Sequence, residues 1–233
     1  MHQLVQESFH GIAHLLFPHC CMGCNMVLEH RKEILCYACN SLLPRTNFEN
    51  QEGNPLEKCF YGRIPIASAS AAFYFSRESV LHQLLVCLKY KQHKEAGWFL
   101  GRLLGYQLAK AARFQEVDII FPLPLHPNKL KIRGYNQAAL IAEGIQSVWP
   151  KKLVLDAAIR TGFSQSQTVS NRVHRWQKMQ GVFQLANQES IQGKRVLLID
   201  DVATTGATLE ACGAALLQGK PASLSIATVA YTL

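Results

Sequence analysis

"RVLLIDDVATTGATLEAC", residues 195–212, carries the clearest structural signal in this chain. After Arg195 come four consecutive apolar residues, a pattern typical of a strand buried on both faces. Two adjacent carboxylates, Asp200 and Asp201, end the strand. A loop of small, hydroxyl-bearing residues follows, and then a helical pattern begins. A buried strand that leads through a short loop into a helix predicts one unit of an α/β fold.

The segments around this unit also alternate between strand and helix patterns. Predicted strands lie at 66–75, 117–125, 152–160, 195–200 and 223–233, and predicted helices at 79–90, 95–112, 136–149 and 208–220. This alternation predicts a mostly parallel sheet flanked by helices over residues 61–233. Residues 46–65 are polar and turn-rich and are predicted to be a linker or long loop. Residues 1–60 are therefore expected to form a small N-terminal module with its linker.

The two carboxylates and the loop after them predict a ligand site, because ligands bind at the carboxyl ends of strands in open parallel sheets. Backbone N–H groups of residues 203–208, together with the dipole of the next helix, favour a phosphate. Two carboxylates would repel that phosphate, so they are expected to bind hydroxyls or Mg²⁺. A sugar phosphate with a free diol suits both halves of the site. The alternative is a structural N-cap and turn.

The N-terminal part is rich in cysteine, with five of the eight cysteines within residues 20–39. Two CxxC pairs at short spacing are typical of a tetrahedral structural Zn²⁺ site. The predicted ligands are Cys21, Cys24, Cys36 and Cys39. Cys20 offers an alternative register for the first pair. Cys87 and Cys212 fall in helical patterns and are expected to be buried thiols.

The bulk composition indicates the kind of partner. The net charge of +8 favours acidic partners, such as phosphates, nucleic acid or an anionic surface. No run of 18 apolar residues occurs, and the start lacks the features of a signal peptide. We therefore expect a cytoplasmic protein without membrane insertion. In that compartment cysteines stay reduced, which favours metal binding over disulfides.

The ordered string VLLIDDVATTGAT resembles the signature with which type I phosphoribosyltransferases bind 5-phosphoribosyl 1-pyrophosphate (PRPP). The resemblance implies a type I phosphoribosyltransferase fold. In that fold Asp200 and Asp201 hold the ribose diol, directly or through Mg²⁺. The residues implied to bind the rest of the ribose 5-phosphate are Ala203, Thr204, Thr205, Gly206, Ala207 and Thr208. Ala203 stands where the family usually has a larger aliphatic residue.

Further segments extend the resemblance over essentially the whole chain. "RGYNQ" at 133–137 is similar to the "RGFNQ" box of the ComF/GntX proteins, and Lys89-Tyr90 matches their "KY". Residues 160–183 resemble the loop that closes over PRPP, although Lys178 replaces the usual Asn and Thr168-Val169-Ser170 departs from the usual pattern. Lys89 is implied to join the PRPP site. Contacts to pyrophosphate or nucleic acid are implied for Arg133, Gly134, Asn136, Gln137 and Arg175.

The segment 122–142 has a charge pattern of its own. It follows a predicted strand and carries Lys129, Lys131 and Arg133 close together. A basic, proline-rich loop at a strand end is expected to bind an anion such as pyrophosphate. Several ComF relatives have a second metal-binding cysteine pair, whereas only Cys59 stands in that region here. The possible substitutes His19 and His30 leave a second metal site open.

The resemblance implies a PRPP-binding, phosphoribosyltransferase-like protein associated with natural competence, the uptake of DNA. In such a transferase Asp200, Asp201 and Arg133 would act on an oxocarbenium-like ribosyl centre as pyrophosphate leaves. The sequence identifies neither the acceptor nor a general base, so turnover stays undecided. Two alternatives remain: a non-catalytic module for single-stranded DNA or a competence helicase, and a PRPP or nucleotide sensor. Candidate stacking residues for a single strand are Tyr90, Tyr135 and Trp176.

Overall fold

A five-stranded, wholly parallel sheet forms the centre of the protein. The computed structural model describes residues 18–30, 33–162 and 181–232. The strands are β1 (Ser68–Tyr74), β2 (Ile119–Pro122), β3 (Lys152–Leu153), β4 (Ala158–Arg160), β5 (Phe183–Leu185), β6 (Arg195–Ala203) and β7 (Ser223–Tyr231). The sheet order is β1-β7-β6-β2-β3, and β4 pairs with β5 in a separate antiparallel ribbon. The predicted mostly parallel sheet is confirmed.

Helices cover both faces of the sheet. They are α1 (Tyr37–Ser41), α2 (Pro55–Lys58), α3 (Val80–Tyr90), α4 (Lys94–Lys110), α5 (Pro127–Arg133), α6 (Gln137–Val148) and α7 (Ala207–Gln218). Short 3₁₀ turns lie at Phe48–Asn50 and Ala112–Phe114. Side-chain caps at Ser79 and Asn136 fix where α3 and α6 begin. Within the described ranges, none of the helices combines the length and the apolar character needed to cross a membrane.

The continuous apolar run of β6 reflects burial on both sides. Leu197 and Ile199 pack in the core formed with α3, α4 and α6. Val196 and Leu198 pack in the second core, which includes α7 and buried residues of the segment 48–60. Because successive side chains of a strand point to opposite faces, a strand covered on both faces needs apolar residues throughout. Because β6 is the third of the five strands, its end lies in the middle of the carboxyl edge of the sheet.

The segment 122–142 differs from its prediction as a basic loop. Residues 127–133 form the helix α5, which begins with His126 as N-cap and Pro127 in the first turn. Gly134 ends it in the left-handed region, at φ +80°. Proline at the start and glycine after the end are the usual signals of a short helix, and they outweigh the basic, proline-rich composition here.

The predicted strand at 152–160 is two strands. Leu155 and Asp156 between them are exposed, so the chain leaves the sheet after β3 and pairs with β5 as β4. Within the described residues, β5 is a strand that the sequence pattern did not predict. It is three residues long, too short for an alternating pattern to stand out.

The segment 46–65, predicted to be a linker or long loop, packs on the sheet over much of its length. Its Phe48, Leu56 and Phe60 are buried in the second core. Just before it, the Tyr74 N–H donates to the Pro44 carbonyl at 2.8 Å, and Arg45 bridges antiparallel to Phe73 in β1. Three large apolar side chains therefore anchor a stretch whose overall composition is polar. The division into residues 1–60 and 61–233 stays a prediction.

Candidate functional site

The two predicted carboxylates lie at the carboxyl end of β6, the middle strand of the sheet. Asp201 is buried, and its Oδ2 lies 2.8 Å from Lys89 Nζ, at the end of α3. Asp200 Oδ1 accepts a hydrogen bond from the Asp201 backbone N–H at 2.8 Å. The structure thus brings together Lys89 and the diacid, which are 112 residues apart in the chain.

Electrostatics make Asp200 an unusual carboxyl. Burial, followed by the negative charge of Asp201, raises the pKa of Asp200 to about 8. The Asp201 N–H and the charges of Lys89 and Arg160 oppose this rise without cancelling it. Near neutral pH the Asp200 carboxyl therefore favours its protonated form in the absence of a ligand. A protonated carboxyl beside a carboxylate can donate as well as accept hydrogen bonds. When a cation binds and the proton leaves, both carboxyl groups act as acceptors.

The loop after β6 turns directly into a long helix. Thr204 and Thr205 are exposed, and Gly206 adopts φ +73° just before the twelve-residue α7. A methyl group on Gly206 would lie 3.0 Å from Phe60 Cε1, so the loop rests directly on that ring. Ala203 is buried at the end of β6, and its carbonyl accepts from the Thr232 N–H at 2.9 Å. The exposed part of the predicted phosphate loop begins at Thr204.

Positive side chains from three elements cluster at this end of the sheet: Lys89 and Arg160 lie near the diacid, and Lys129 and Arg133 lie near those two. Burial and then the charges of Arg160, Arg133 and Lys89 lower the pKa of Lys129. Burial also lowers the pKa of Arg160, and the negative charge of Asp200 opposes that shift. The cationic cluster therefore consists of Lys89, Lys129, Arg133 and Arg160, contributed by α3, α5 and β4. Lys129 belongs to the basic segment that was expected to bind an anion, whereas Arg160 had no site role of its own in the sequence prediction. The tertiary fold brings Lys129 near Lys89 and Arg160 near Asp200.

The "RGYNQ" box mainly holds α5, α6 and α3 together. Asn136 caps α6 through the Ala138 N–H and donates to the Leu123 carbonyl at 2.9 Å. The Tyr135 hydroxyl donates to the Leu88 carbonyl of α3. Gly134 ends α5, Gln137 is buried, and Arg133 alone of the box lies over an exposed ring, 5.8 Å from the centroid of Tyr90.

This geometry corrects one prediction and leaves others without a test. Tyr135 is buried and hydrogen-bonded, so its predicted role in stacking on a base is wrong. Tyr90 is 74% exposed, so its ring is accessible for stacking on a base. Arg175 and Trp176, like the rest of 163–180, lie outside the described residues. The site roles predicted for Arg133, Gly134, Asn136 and Gln137 stay predictions.

A cleft of about 440 Å³ lies beside the loop, over the end of β7. Its polar and charged lining includes two cations, Lys58 and Arg63, and three threonines. Arg63 Nη1 pairs with Glu210 at 3.2 Å and approaches the Thr205 carbonyl at 3.4 Å. The complete lining is Pro55, Lys58, Cys59, Arg63, Thr204, Thr205, Tyr231 and Thr232. Because β7 and β2 flank β6 on opposite sides, the cleft and α5 lie on opposite sides of the diacid strand.

The four predicted zinc ligands form a compact cluster. The sulfur atoms of Cys21, Cys24, Cys36 and Cys39 all lie within 4.8 Å of one another. A tetrahedral site with Zn–S bonds of about 2.3 Å separates its sulfurs by about 3.8 Å. Cys24 Sγ and Cys36 Sγ are 3.8 Å apart, so the cluster fits Zn²⁺. It is the one group of three or more clustered His, Cys, Asp or Glu ligands found in the described ranges, and it includes none of Cys20, Cys59, His19 and His30.

The electrostatics of the cysteine cluster also suit a metal. Backbone N–H groups of Cys36, Cys24 and Gly23 outweigh the opposing effect of burial and lower the pKa of Cys21 to about 6. Burial and the neighbouring thiols raise the pKa of Cys39. The cluster therefore forms one thiolate easily, and the positive charge of a metal ion favours the others.

The cysteine module is continuous with the core of the sheet. Cys21, Leu28 and Leu35 are buried in the core that also contains Leu81 and Leu84 of α3. A methyl group on Gly23, inside the first CxxC pair, would lie 3.1 Å from Val80 Cγ1 and 2.8 Å from Cys39 Sγ. The module therefore packs against the first turns of α3, the helix whose last turn carries Lys89.

Comparison with known proteins agrees with this architecture. The phosphoribosyl transferase domain matches residues 138–233. The DNA utilization protein YhgH of Escherichia coli O6:H1 is 27% identical over 156 residues, 66% of this chain and 68% of that protein. Competence protein F of Haemophilus influenzae is 31% identical over 114 residues, 47% of this chain and 50% of that protein. Competence protein ComFC of Bacillus subtilis is 34% identical over 112 residues, 48% and 43% of the two chains.

Proposed function

We propose that this chain, which belongs to the ComF family of phosphoribosyltransferase-like proteins, binds PRPP at the carboxyl edge of its sheet and transfers the phosphoribosyl group. The observation that carries the proposal is the meeting of a carboxylate pair, a cationic cluster and a small loop at the end of β6. PRPP carries a diol, a pyrophosphate and a 5-phosphate, and these groups suit the carboxylate pair, the cationic cluster and the small loop in that order. The alternative interpretation, in which Asp200, Asp201 and the loop only cap the helix α7, does not account for the cations beside them.

The assignment of PRPP to the site follows from charge. The carboxyl groups of Asp200 and Asp201 accept hydrogen bonds from the ribose hydroxyls. The residues Thr204–Thr208, together with the start of α7, bind the 5-phosphate. Arg160 lies near Asp200, and Lys129 lies near Arg160, Arg133 and Lys89, so these cations bind the pyrophosphate in our proposal. The carboxylates of Asp200 and Asp201 are hard oxygen ligands that would hold Mg²⁺, which supplies positive charge to the departing pyrophosphate.

The reaction that the site supports is a displacement at the ribosyl C1. The C1–O bond to pyrophosphate breaks, and pyrophosphate leaves with the electron pair. The lone pair of an acceptor forms the new bond at C1. Lys129 and Arg133 stabilise the charge that develops on the leaving group.

A variant of the cationic cluster tests the pyrophosphate assignment. We expect Lys129→Ala with Arg133→Ala to weaken PRPP binding at least about 30-fold, because each charged hydrogen bond contributes about 1.5–3 kcal/mol. Ribose 5-phosphate has no pyrophosphate, so its affinity should stay within about twofold. Calorimetric titration of both ligands with Mg²⁺ measures the difference. Lys131→Ala, on the same helix, is the matched control and should change neither affinity. Equal losses for the two ligands would refute the assignment.

The glycine of the loop gives a second test. Gly206→Ala places a methyl group in a left-handed residue and 3.0 Å from Phe60. We expect about 1–2 kcal/mol of lost stability from the backbone alone and a loss of ribose 5-phosphate binding as the loop moves. Gly193→Ala, at φ +66° with no atom within 4 Å of the added methyl, is the control. It should show a similar stability loss in urea unfolding and retain binding. If Gly206→Ala also binds normally, the loop does not hold the phosphate.

The cellular role is proposed from the relatives. Two relatives carry competence in their names and one carries DNA utilization. We propose that this chain likewise serves the handling of incoming DNA during natural competence, in the cytoplasm. Whether it transfers the phosphoribosyl group or only binds PRPP is decided by pyrophosphate release in the presence of candidate acceptors.

A further inference from the structure

An exposed row of alternating cations and aromatic rings runs along α4. Trp98, Arg102 and Tyr106 follow one another at four-residue spacing, so they lie on neighbouring turns of one side. The Arg102 guanidinium lies 5.0 Å from the Trp98 ring centroid and 5.9 Å from that of Tyr106. Trp98 is 41% exposed and Tyr106 is 46% exposed. Two large aromatic rings are thus held in place by one arginine and still face solvent.

The row continues toward the cationic cluster. Lys94, one turn before Trp98, lies 5.5 Å from the ring centroid of Tyr135, which belongs to the box after α5. We call the row Lys94, Trp98, Arg102 and Tyr106 the α4 track. The helix carries three cations, Lys94, Arg102 and Lys110, and one acidic residue, Glu95. Its charge therefore suits an anionic partner.

The opposite side of α4 is fixed in the protein. Ala96, Leu100, Leu104 and Leu108 are fully buried in the core. A methyl group on Gly101 would lie 2.1 Å from the Ile141 carbonyl oxygen, so α4 and α6 are in backbone contact. The α4 track is therefore displayed on a rigid support, which limits the entropy lost when a partner binds.

We propose that the α4 track binds single-stranded nucleic acid. Proteins that bind single strands combine cations for the phosphate backbone with exposed rings on which unpaired bases stack. Successive members of the track rise about 6 Å along the helix axis, so cations and rings alternate at short intervals. While Arg102 stacks on the rings of Trp98 and Tyr106, its guanidinium group can still donate hydrogen bonds to phosphates. Each of the two rings is partly exposed to solvent and can accept a stacked base. The track lies outside the diacid site, so this binding does not require PRPP.

A purely local role for the track makes a different prediction. Pairs at four-residue spacing stabilise a helix by about 0.2–0.5 kcal/mol each, and removing them would lower helix stability slightly. Such a role predicts no change in affinity for any strand. Affinity measurements on folded variants therefore distinguish a local, helix-stabilising role from a role in binding single strands.

The first experiment uses fluorescence anisotropy of a labelled 20-nucleotide oligo-dT with the zinc-loaded full chain. Trp98→Ala with Tyr106→Ala should weaken binding at least about fivefold, because a base stacked on an aromatic ring contributes about 1–3 kcal/mol. Tyr61→Ala removes an exposed ring elsewhere, 59% exposed in the native chain, and should change the affinity less than twofold. Unchanged binding of the double variant, or no binding by the native protein, would overturn the proposal.

The second experiment follows the salt dependence. Arg102→Ala should reduce the slope of log affinity against log salt concentration by about 0.7, the value for one phosphate contact on a single strand. Lys194→Ala makes the same charge change at an exposed residue just before β6, outside α4, and should leave the slope unchanged. If the two variants lower the slope equally, only the net charge matters and the track is not the site. PRPP affinity should stay unchanged in both variants.

Discussion

Replacing both Asp200 and Asp201 by asparagine is expected to abolish PRPP binding while the chain stays folded. Each carboxylate accepts a charge-assisted hydrogen bond from the ribose diol or holds the Mg²⁺ that does so, and an amide does neither well. At about 1.5–3 kcal/mol for each lost contact, the affinity should fall at least about 100-fold. Calorimetric titration of the zinc-loaded protein with PRPP, with and without Mg²⁺, measures the loss. Retained binding in the folded double variant would rule out the diacid as the diol site.

The stability of the same variants provides an internal control. Because the folded-state pKa of Asp200 is raised to about 8 from an ordinary value of 3.8, the protonated form favours folding. This contribution is present below pH 4 and is lost as the pH rises through 8. Asp200→Asn removes the titration, so its melting temperature at pH 8 should equal or exceed that of the native protein. A lower melting temperature of Asp200→Asn at pH 8 would contradict this stabilising role of the Asp200 proton, and a double variant that is unfolded at the assay temperature would make its loss of PRPP binding uninformative about the diol.

Loss of one zinc ligand is expected to have the largest effect on stability. Cys36→Ser removes a ligand from the cluster, and it does so within the core that also holds α3. Because the binding energy of a structural zinc ion contributes directly to folding, we expect at least about 3 kcal/mol of lost stability. For a chain of this size that is a fall of about 6–12 °C in melting temperature. Thermal unfolding, together with the zinc content of the purified protein, checks this result.

A neighbouring cysteine serves as the matched control for that variant. Cys20 lies directly before Cys21 but outside the cluster, and its Sγ approaches the Pro18 carbonyl at 3.5 Å. Cys20→Ser should keep one zinc ion per chain and a native melting temperature. If Cys20→Ser loses zinc and Cys36→Ser does not, the alternative register through Cys20 is the correct one. Since the module packs on α3, Cys36→Ser should also weaken PRPP binding through Lys89.

Much of the site was accessible from local patterns. The run of apolar residues before Asp200 indicated a buried strand, and the small residues after Asp201 indicated a tight loop into a helix. Both patterns span only a few residues. Burial on two faces restricts the residue types of the strand, and the left-handed turn restricts the residue type at position 206. The spacing of the four cysteines is a signal of the same kind, since each CxxC pair presents two sulfurs to one ion. In the helix α5 the same kind of signal, Pro127 and Gly134, was present, but the prediction of a loop relied on the basic, proline-rich composition instead.

From the sequence alone came the α/β class, the mostly parallel sheet and the four clustered cysteines, and with them the prediction of a ligand site at the end of β6. The packing of distant elements could not be obtained in this way. It placed Arg160 near Asp200 and Lys129 near Lys89, buried Tyr135, and left Trp98 and Tyr106 exposed on α4. The physical reason is that burial and pairing depend on how helices from separate parts of the chain pack on one sheet. Periodicity along the chain records which face of an element is apolar, and it does not record which element covers that face.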